Sequence, residues 1–260
     1  MIDIHLHILP QIDDGARDLS VSGAMLQEAR QQGYTQLVAT PHLVERLSED
    51  YYARVQAAVA TLKPIAARLG IELLAGFEVV LTPDLPKRLH WGEPVTLGNS
   101  MALLVELPVT VWPTYTEAIL FELQTAGYRP VLAHPERYDT LQRDPTRALR
   151  LAEQGVVLQV TTSAIAGLFG KAMQKLVERW LVAGAIHVVA SDAHSRGRRM
   201  TEVPAAINRL ERLVGPRETR RLTTDAPLAL LNDTAIPLPN LDQAKQSTGL
   251  LSSVSGWLKR

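Results

Sequence analysis

Five times along this chain a helix-forming stretch stops at a glycine and an apolar, β-branched stretch begins within a few residues, at Gly33, Gly70, Gly127, Gly155 and Gly184. Glycine just past a helix is a common terminator because it takes a positive φ without steric cost. Strands that return at this rhythm, each after a helix, lie parallel, with the helices as crossovers. Those strands read as 35–40, 71–75, 130–133, 156–161 and 186–190, and the apolar stretches 1–7 and 101–105 bring the number to seven. The intervening helices read as 19–32, 48–69, 116–126, 146–154 and 171–183, with Pro64 expected to kink or divide the second and 85–97 expected to be irregular. A chain of 260 residues is long for one domain but ordinary for a (β/α) barrel. The expected fold class is therefore α/β, with one domain over 1–236. The remainder, 237–260, is rich in Ser, Gln and Asn and is expected to be a poorly ordered tail, with a short amphipathic helix as the alternative.

In barrels of this kind the chemistry sits at the carboxyl ends of the strands. That is where His5 and His7, His42, Glu78, Glu106, His134, and Asp192 with His194 fall; the strand end near Thr161 offers no ligand. Residues two apart on a strand face the same way, so His5 and His7 point together with Asp3 behind them, and Ile2, Ile4 and Leu6 face the other side. An isolated His-x-His is as readily a pair of core histidines. The recurrence of ligand-type residues after further strands favours metal. With Asp14, from the polar turn 11–15, the set reaches nine nitrogen and oxygen ligands, too many for one ion. Two or three divalent cations would satisfy them, and mixed imidazole and carboxylate donors suit manganese, iron or zinc better than magnesium or calcium. His90 and His187 lack ligand-type neighbours and read as structural.

A polynuclear cluster activates water and clamps an oxyanion, which is hydrolytic chemistry, most often on phosphate esters. Phosphate also calls for arginine forks, and Arg137, Arg196, Arg198 and Arg199 follow two of the ligand motifs. For Arg196 and Arg199 a solvated surface charge is the preferred reading. Composition narrows the chemistry further. Cysteine is absent, so thiolate metal sites, disulfides and cysteine nucleophiles are excluded. Lys plus Arg and Asp plus Glu balance at 27 each, which argues against nucleic acid as a partner. The N-terminus does not read as a secretion signal and no stretch reads as a membrane span, so the expected location is cytoplasmic.

Read in order, His5-Leu-His7, Ile12-Asp-Asp-Gly15, Thr40-Pro-His42, Gly76-Phe-Glu78 with Thr82-Pro-Asp84, Glu106, Ala133-His-Pro-Glu-Arg-Tyr138 and Ser191-Asp-Ala-His194 resemble the polymerase-and-histidinol-phosphatase (PHP) superfamily. More narrowly, they are similar to its manganese-dependent bacterial protein-tyrosine phosphatases of capsule and exopolysaccharide loci. The resemblance covers residues 1 to about 231. It implies a distorted (β/α)7 barrel and three divalent ions, manganese foremost, with iron or zinc as alternatives. By position, His5, His7, Glu78 and Asp192 would hold one ion, Glu78, Glu106 and His134 a second, and Asp14, His42 and His194 the third. Arg137 and Arg198 match the phosphate-binding arginines. The interval from His194 to Arg198 is one residue shorter than in relatives, which makes Arg199 the alternative.

The implied substrate is a phosphotyrosyl protein, the autophosphorylated tail of a membrane-associated bacterial tyrosine kinase controlling polysaccharide export. An enzyme acting there would work beside the membrane without spanning it, with Trp257-Leu-Lys-Arg260 as a possible aid. The rival readings are another phosphoesterase on the same scaffold, either a histidinol-phosphate phosphatase or a nuclease-like enzyme, and a non-catalytic binding module.

Overall fold

A computed structural model describes residues 1–240; the greater part of the expected tail, 241–260, lies outside the described residues. Among the described residues there are nine strand segments, seven at the positions read from the sequence and two, β3 and β5, beyond them: β1 (Ile2–Leu6), β2 (Gln36–Ala39), β3 (His42–Leu43), β4 (Glu72–Ala75), β5 (Glu78–Val80), β6 (Ala102–Glu106), β7 (Arg129–Ala133), β8 (Val157–Thr161) and β9 (Val188–Ala190). They pair in parallel as two sheets, β1-β2-β4 and β3-β5-β6-β7-β8-β9. The extra segments arise because Thr40 and Pro41 part β2 from β3, and Gly76 and Phe77 part β4 from β5. Pro41 has no N–H for a ladder. Single bonds carry the pairing across the breaks, from Gly76 N to Ala39 O (2.9 Å) and from Glu78 N to Pro41 O (3.1 Å). At the opposite margin the last strand meets the first: Asp192 N donates to His5 O and His7 N to Ala193 O, both at 2.8 Å.

The principal helices are α1 (Leu19–Gln31), α2 (Glu49–Arg68), α3 (Leu85–His90), α4 (Thr116–Thr125), α5 (Asp139–Arg143), α6 (Thr146–Glu153), α7 (Thr162–Ala166), α8 (Lys171–Val182), α9 (Arg198–Thr201), α10 (Val203–Val214), α11 (Pro216–Arg220) and α12 (Ala226–Leu231). The five terminator glycines have φ between +69° and +90°, the left-handed conformation expected of them. Two expectations need correction. Pro64 does not divide α2, which runs unbroken; Pro64 and Ala60, whose carbonyl it leaves without an intrahelical donor, both lie on the exposed face, where that carbonyl is open to solvent. The stretch 85–97, expected to be irregular, begins with α3, whose Pro86 sits in the first turn, where proline costs no hydrogen bond.

Side chains on the two faces of the strands fill different cores. The larger lies beneath the helices and includes Leu103, Val105, Leu132, Leu158, Val160 and Val189. The smaller holds Val38, Leu104, Val131, Ala133, Val157, Val188 and Ala190, and Ala226 and Leu230 of α12 join it. Alternation puts the strand-end residues His42, Glu78, Glu106 and Asp192 in register with the smaller core, so this face continues upward into polar side chains. On β1 the alternation is interrupted: Ile2 and Ile4 join the small core while Leu6 joins the large one, and the β1–β2 register shifts between Asp3 and Leu6. That shift turns the end of β1 without separating His5 and His7, whose Nε2 atoms lie 3.4 Å apart. Of the expected tail, Pro237 O accepts from Arg221 (3.3 Å) and Asn240 N donates to Glu218 (2.7 Å).

His187 is structural, as read: its Nδ1 accepts from Leu158 N at 3.1 Å while its own N–H donates to Leu158 O at 3.1 Å. Burial, and then the charge of Arg221, lower its pKa to about 4. The unfolded chain therefore takes up this proton near pH 6.5 and the folded chain only near pH 4, so His187 withdraws stability as pH falls through that window. The expected loss between those limits is about 2–3 kcal/mol, measured by urea unfolding. His187→Gln, whose amide oxygen keeps the acceptor, should flatten that part of the profile relative to wild type.

Candidate metal centre

All nine expected ligands converge at the carboxyl ends of the strands. Their donor atoms form four overlapping groups, each within 4.8 Å: His7, Asp14, His42 and His194; His5, Glu78 and His134; His5, His7 and Asp192; and His42, Glu78 and Glu106. The groups share His5, His7, His42 and Glu78, and Glu78 is the one carboxylate among these shared residues. Its Oε1 lies 2.8 Å from His134 Nε2, and its Oε2 lies 3.0 Å from His42 Nδ1, 3.3 Å from His5 Nε2 and 3.4 Å from His7 Nε2. Grouping by distance differs in detail from the assignment implied by resemblance: Glu106 falls beside His42 (3.3 Å), and His134 groups with His5. Asp14 is the exposed member, 3.4 Å from both His42 Nε2 and His194 Nε2.

Two of these residues occupy costly backbone conformations. His134 (φ +35°), directly after β7, and Asp192 (φ +50°), two residues beyond β9, lie in the left-handed region. Non-glycine residues persist there only when their surroundings over-determine them. Alternation alone would send His134 to the helix side with Leu132, and the turn brings it into the cluster instead.

The electrostatics are dominated by packed carboxylates. Burial raises a carboxyl pKa, yet His5, His134 and His42 hold Glu78 well below the usual range. Asp192 is held low in the same way, against its burial, by His5, His7 and Arg137. Burial also opposes a proton on His7, but Asp13, Asp192 and Glu78 raise it well above an ordinary imidazole. Against its burial, Glu106 and Glu78 push His42 up to about 10. His194 goes the other way, to about 4, through burial and the charge of His7, whose ring stacks on it at 4.0 Å. The cluster thus demands positive charge at its centre. His42 Nδ1 and Glu78 Oε2 face each other across 3.0 Å, each buried and without a hydrogen-bond partner. Donors that converge without bonding fit divalent cations.

Residues 1–232 match the family model for capsular polysaccharide synthesis proteins, CpsB/CapC. The chain belongs to that family. It is 35% identical over 241 residues to the tyrosine-protein phosphatase YwqE of Bacillus subtilis (strain 168), covering 92% of this chain and 95% of YwqE. With the tyrosine-protein phosphatase CpsB of Streptococcus pneumoniae it shares 29% identity over 243 residues, 91% of this chain and 100% of CpsB. A crystal structure from the work on YwqE of Bacillus subtilis and CpsB of Streptococcus pneumoniae, described as metal-dependent tyrosine phosphatases, matches with a TM-score of 0.84 and 34% identity. It covers 92% of this chain and 99% of that one. The resemblance read from the motifs is therefore upheld at the level of family.

In this CpsB/CapC family member several residues that hold the ligands escaped the sequence reading. Asp13, not only Asp14, belongs to the centre: its Oδ2 accepts from His7 Nδ1 at 2.7 Å and from His42 N at 3.2 Å. Gln159 Oε1 accepts from His5 Nδ1 at 2.8 Å. Because both partners are oxygen acceptors, each imidazole carries its proton on Nδ1 and turns the Nε2 lone pair toward the cluster. Tyr51 Oη donates to His42 O at 2.9 Å. A polar residue at 159 inside an apolar strand was the available signal for Gln159. At the ligand-free strand end, Glu136 accepts from Thr161 N (2.9 Å) and Oγ1 (2.7 Å), which ties the HPERY segment to β8.

The arginines sort by helical phase. Arg137 Nη2 donates to Asp192. Arg199 Nη1 donates to Asp192 O (3.0 Å), Asp192 Oδ2 (3.1 Å) and His194 Nδ1 (2.9 Å). Arg198 is placed otherwise than expected: its side chain is 76% exposed and its nearest ionic partner is Glu202, at 4.0 Å. Successive residues on a helix point about 100° apart, so when α9 turns Arg199 inward, Arg198 faces solvent. Reading Arg199 as a solvated surface charge is corrected by the same observation.

Gly15 is pinned against His7: a Cβ there would lie 2.1 Å from His7 O and 2.5 Å from His7 Cβ. Backbone cannot yield to such a clash, so Gly15→Ala should displace His7 and the Asp13 turn together. The expected outcome is at least a roughly tenfold loss of metal affinity, read by calorimetric titration of metal into chelator-stripped protein. Gly23→Ala, which meets nothing within 4 Å, is the control.

Proposed function

We propose that this chain is a metal-dependent phosphomonoesterase that hydrolyses phosphotyrosine in protein. The observation that carries the reading is the convergence of all nine ligand-type side chains at one set of strand ends, with Arg137 and Arg199 bonded into the same cluster. The curated relatives, tyrosine-protein phosphatases along nearly their whole length, support it. We further propose that the fold is a distorted (β/α)7 PHP barrel over 1–236 with a tail over 237–260. The hydrogen bonds joining the ends of β1 and β9 support closure. The cofactor would be three divalent ions, manganese first and iron or zinc next, held by His5, His7, Asp14, His42, Glu78, Glu106, His134, Asp192 and His194. The family's capsule connection supports, as substrate, the phosphorylated tail of a bacterial tyrosine kinase controlling polysaccharide export, met in the cytoplasm beside the membrane. Among the described residues no helix is long and apolar enough to cross a membrane.

Divalent ions at this centre supply Lewis acidity and make a water nucleophilic at neutral pH. The chain's own residues do the rest. Asp13 and Gln159 fix the tautomers of His7 and His5, so the ligand lone pairs are set before substrate arrives. The guanidinium groups of Arg137 and Arg199 grip the equatorial phosphoryl oxygens and stabilise charge that builds there in an in-line displacement. Tyrosine departs as a phenol of pKa about 10, a better leaving group than an alkyl alcohol, so strong general-acid help is dispensable.

Stripping metal with a chelator should abolish phosphate release from a tyrosine-phosphorylated peptide, and manganese should restore it. His134→Ala should remove at least about two orders of magnitude of kcat. Faster turnover of histidinol phosphate or an oligonucleotide would overturn the substrate, and no turnover of any of them would overturn the enzyme. Between the two arginines, Arg199→Ala should lower kcat/KM about a hundredfold, while Arg198→Ala stays within about twofold in the same assay.

A further inference from the structure

Beside the centre stands an exposed aromatic ring that none of the roles above employs. Phe169, in the link between α7 and α8, is 38% exposed. The guanidinium of Arg137 lies over its ring at 5.3 Å, and the same guanidinium reaches Asp192 of the metal cluster. One side chain therefore joins the ring to the site of phosphate chemistry.

The placement of Phe169 is built. Gly167 (φ +85°) and Gly170 (φ +93°) flank the Leu168-Phe169 pair. Gly170 has ψ 163°, a combination open essentially only to glycine. Leu168 N donates to Ser163 O (2.9 Å) and Gly170 N to Gly167 O (3.1 Å), which folds the turn back on α7. Gln174 then closes it, with Nε2 on Ile165 O at 2.7 Å and at 2.9 Å from where a Gly167 Cβ would stand. This turn holds the ring partly in water with the Arg137 guanidinium over it. The segment after β6 supplies a second exposed apolar pair, Val109 (46%) and Val111 (59%), and Val109 O accepts from Asp139 N, two residues beyond Arg137.

An exposed aromatic ring against the guanidinium that reaches the cluster matches a ligand with a phosphate at one end and an aromatic ring at the other. We propose that Phe169 is the specificity residue of this site. A phosphate held by Arg137 presents its aryl group to the ring of Phe169, which stacks on it in an offset or edge-to-face arrangement. An alkyl phosphate leaves Phe169 uncovered. The inference rests on the phosphatase reading and names the feature that selects aryl over alkyl esters.

Phenylphosphonate and methylphosphonate, which carry the same head group and are not hydrolysed, separate the two contributions when titrated calorimetrically into manganese-loaded protein. Wild type should bind phenylphosphonate about five- to tenfold tighter than methylphosphonate. In Phe169→Ala that preference should vanish with methylphosphonate affinity unchanged, Phe169→Leu should keep only part of it, and Phe169→Tyr should restore it. The kinetic counterpart is a raised KM for a phosphotyrosyl peptide with kcat retained. Equal weakening of both phosphonates in Phe169→Ala would mean that Phe169 only steadies Arg137, and would overturn aryl selection. No binding of either phosphonate by wild type would overturn the phosphatase reading itself.

Discussion

A carboxylate with no access to solvent must be surrounded by positive charge or donors, and Glu78 is such a group, at the point where β5 begins. Four imidazoles, from β1, β3 and the end of β7, reach its two oxygens. Remove it and the histidines lose the charge that lets five rings stand each within 4.0–6.0 Å of at least one other. Burying an ionised carboxylate and several imidazoles together is tolerable only when every charge is matched. Much of the rest of the molecule can be understood as what is needed to keep that set matched. The split strands, the left-handed turns at His134 and Asp192 and the close packing of Gly15 each bring a donor to Glu78 or to its neighbours.

The supporting residues divide by chemistry. Oxygen acceptors behind the histidines, Asp13 and Gln159, fix which ring nitrogen is free. At the margin the side chain of Asp3 does the holding: its Oδ1 accepts from Ser191 N (3.1 Å) and from His5 N (3.2 Å), which fixes the end of β9 against β1. Asp192 is the exchange point between metal ligands and arginines, since it faces His5 on one oxygen and both Arg137 and Arg199 on the other. A single carboxylate thereby couples the position of the phosphate grip to that of the ions.

The parallel architecture was legible because glycine terminators and apolar strands are local signals. The ligands were legible because ligand-type residues recur at strand ends. What local reasoning missed depends on three-dimensional register. The turn of β1 beyond Ile4 and the inward phase of Arg199 are set by the neighbouring strand and by the start of α9, neither of which leaves a pattern in its own segment. Asp13 was hidden by its neighbour: of two adjacent aspartates the exposed one reads as a ligand, and the one that orients His7 has no separate signature. Gln159 was visible in principle, since a buried polar residue in β8 needs a reason.

Among the described residues β8 is the strand end without a ligand, and Glu136 ties it down. Its onward segment, α7 and the glycine-flanked turn, is consequently free of the geometric demands that bind the other six. Sequence change there can alter what the mouth admits without moving a donor atom. A scaffold with one such uncommitted loop separates the evolution of substrate range from the preservation of its chemistry, and it marks where relatives of this fold can diverge in preference while their ligand sets stay the same.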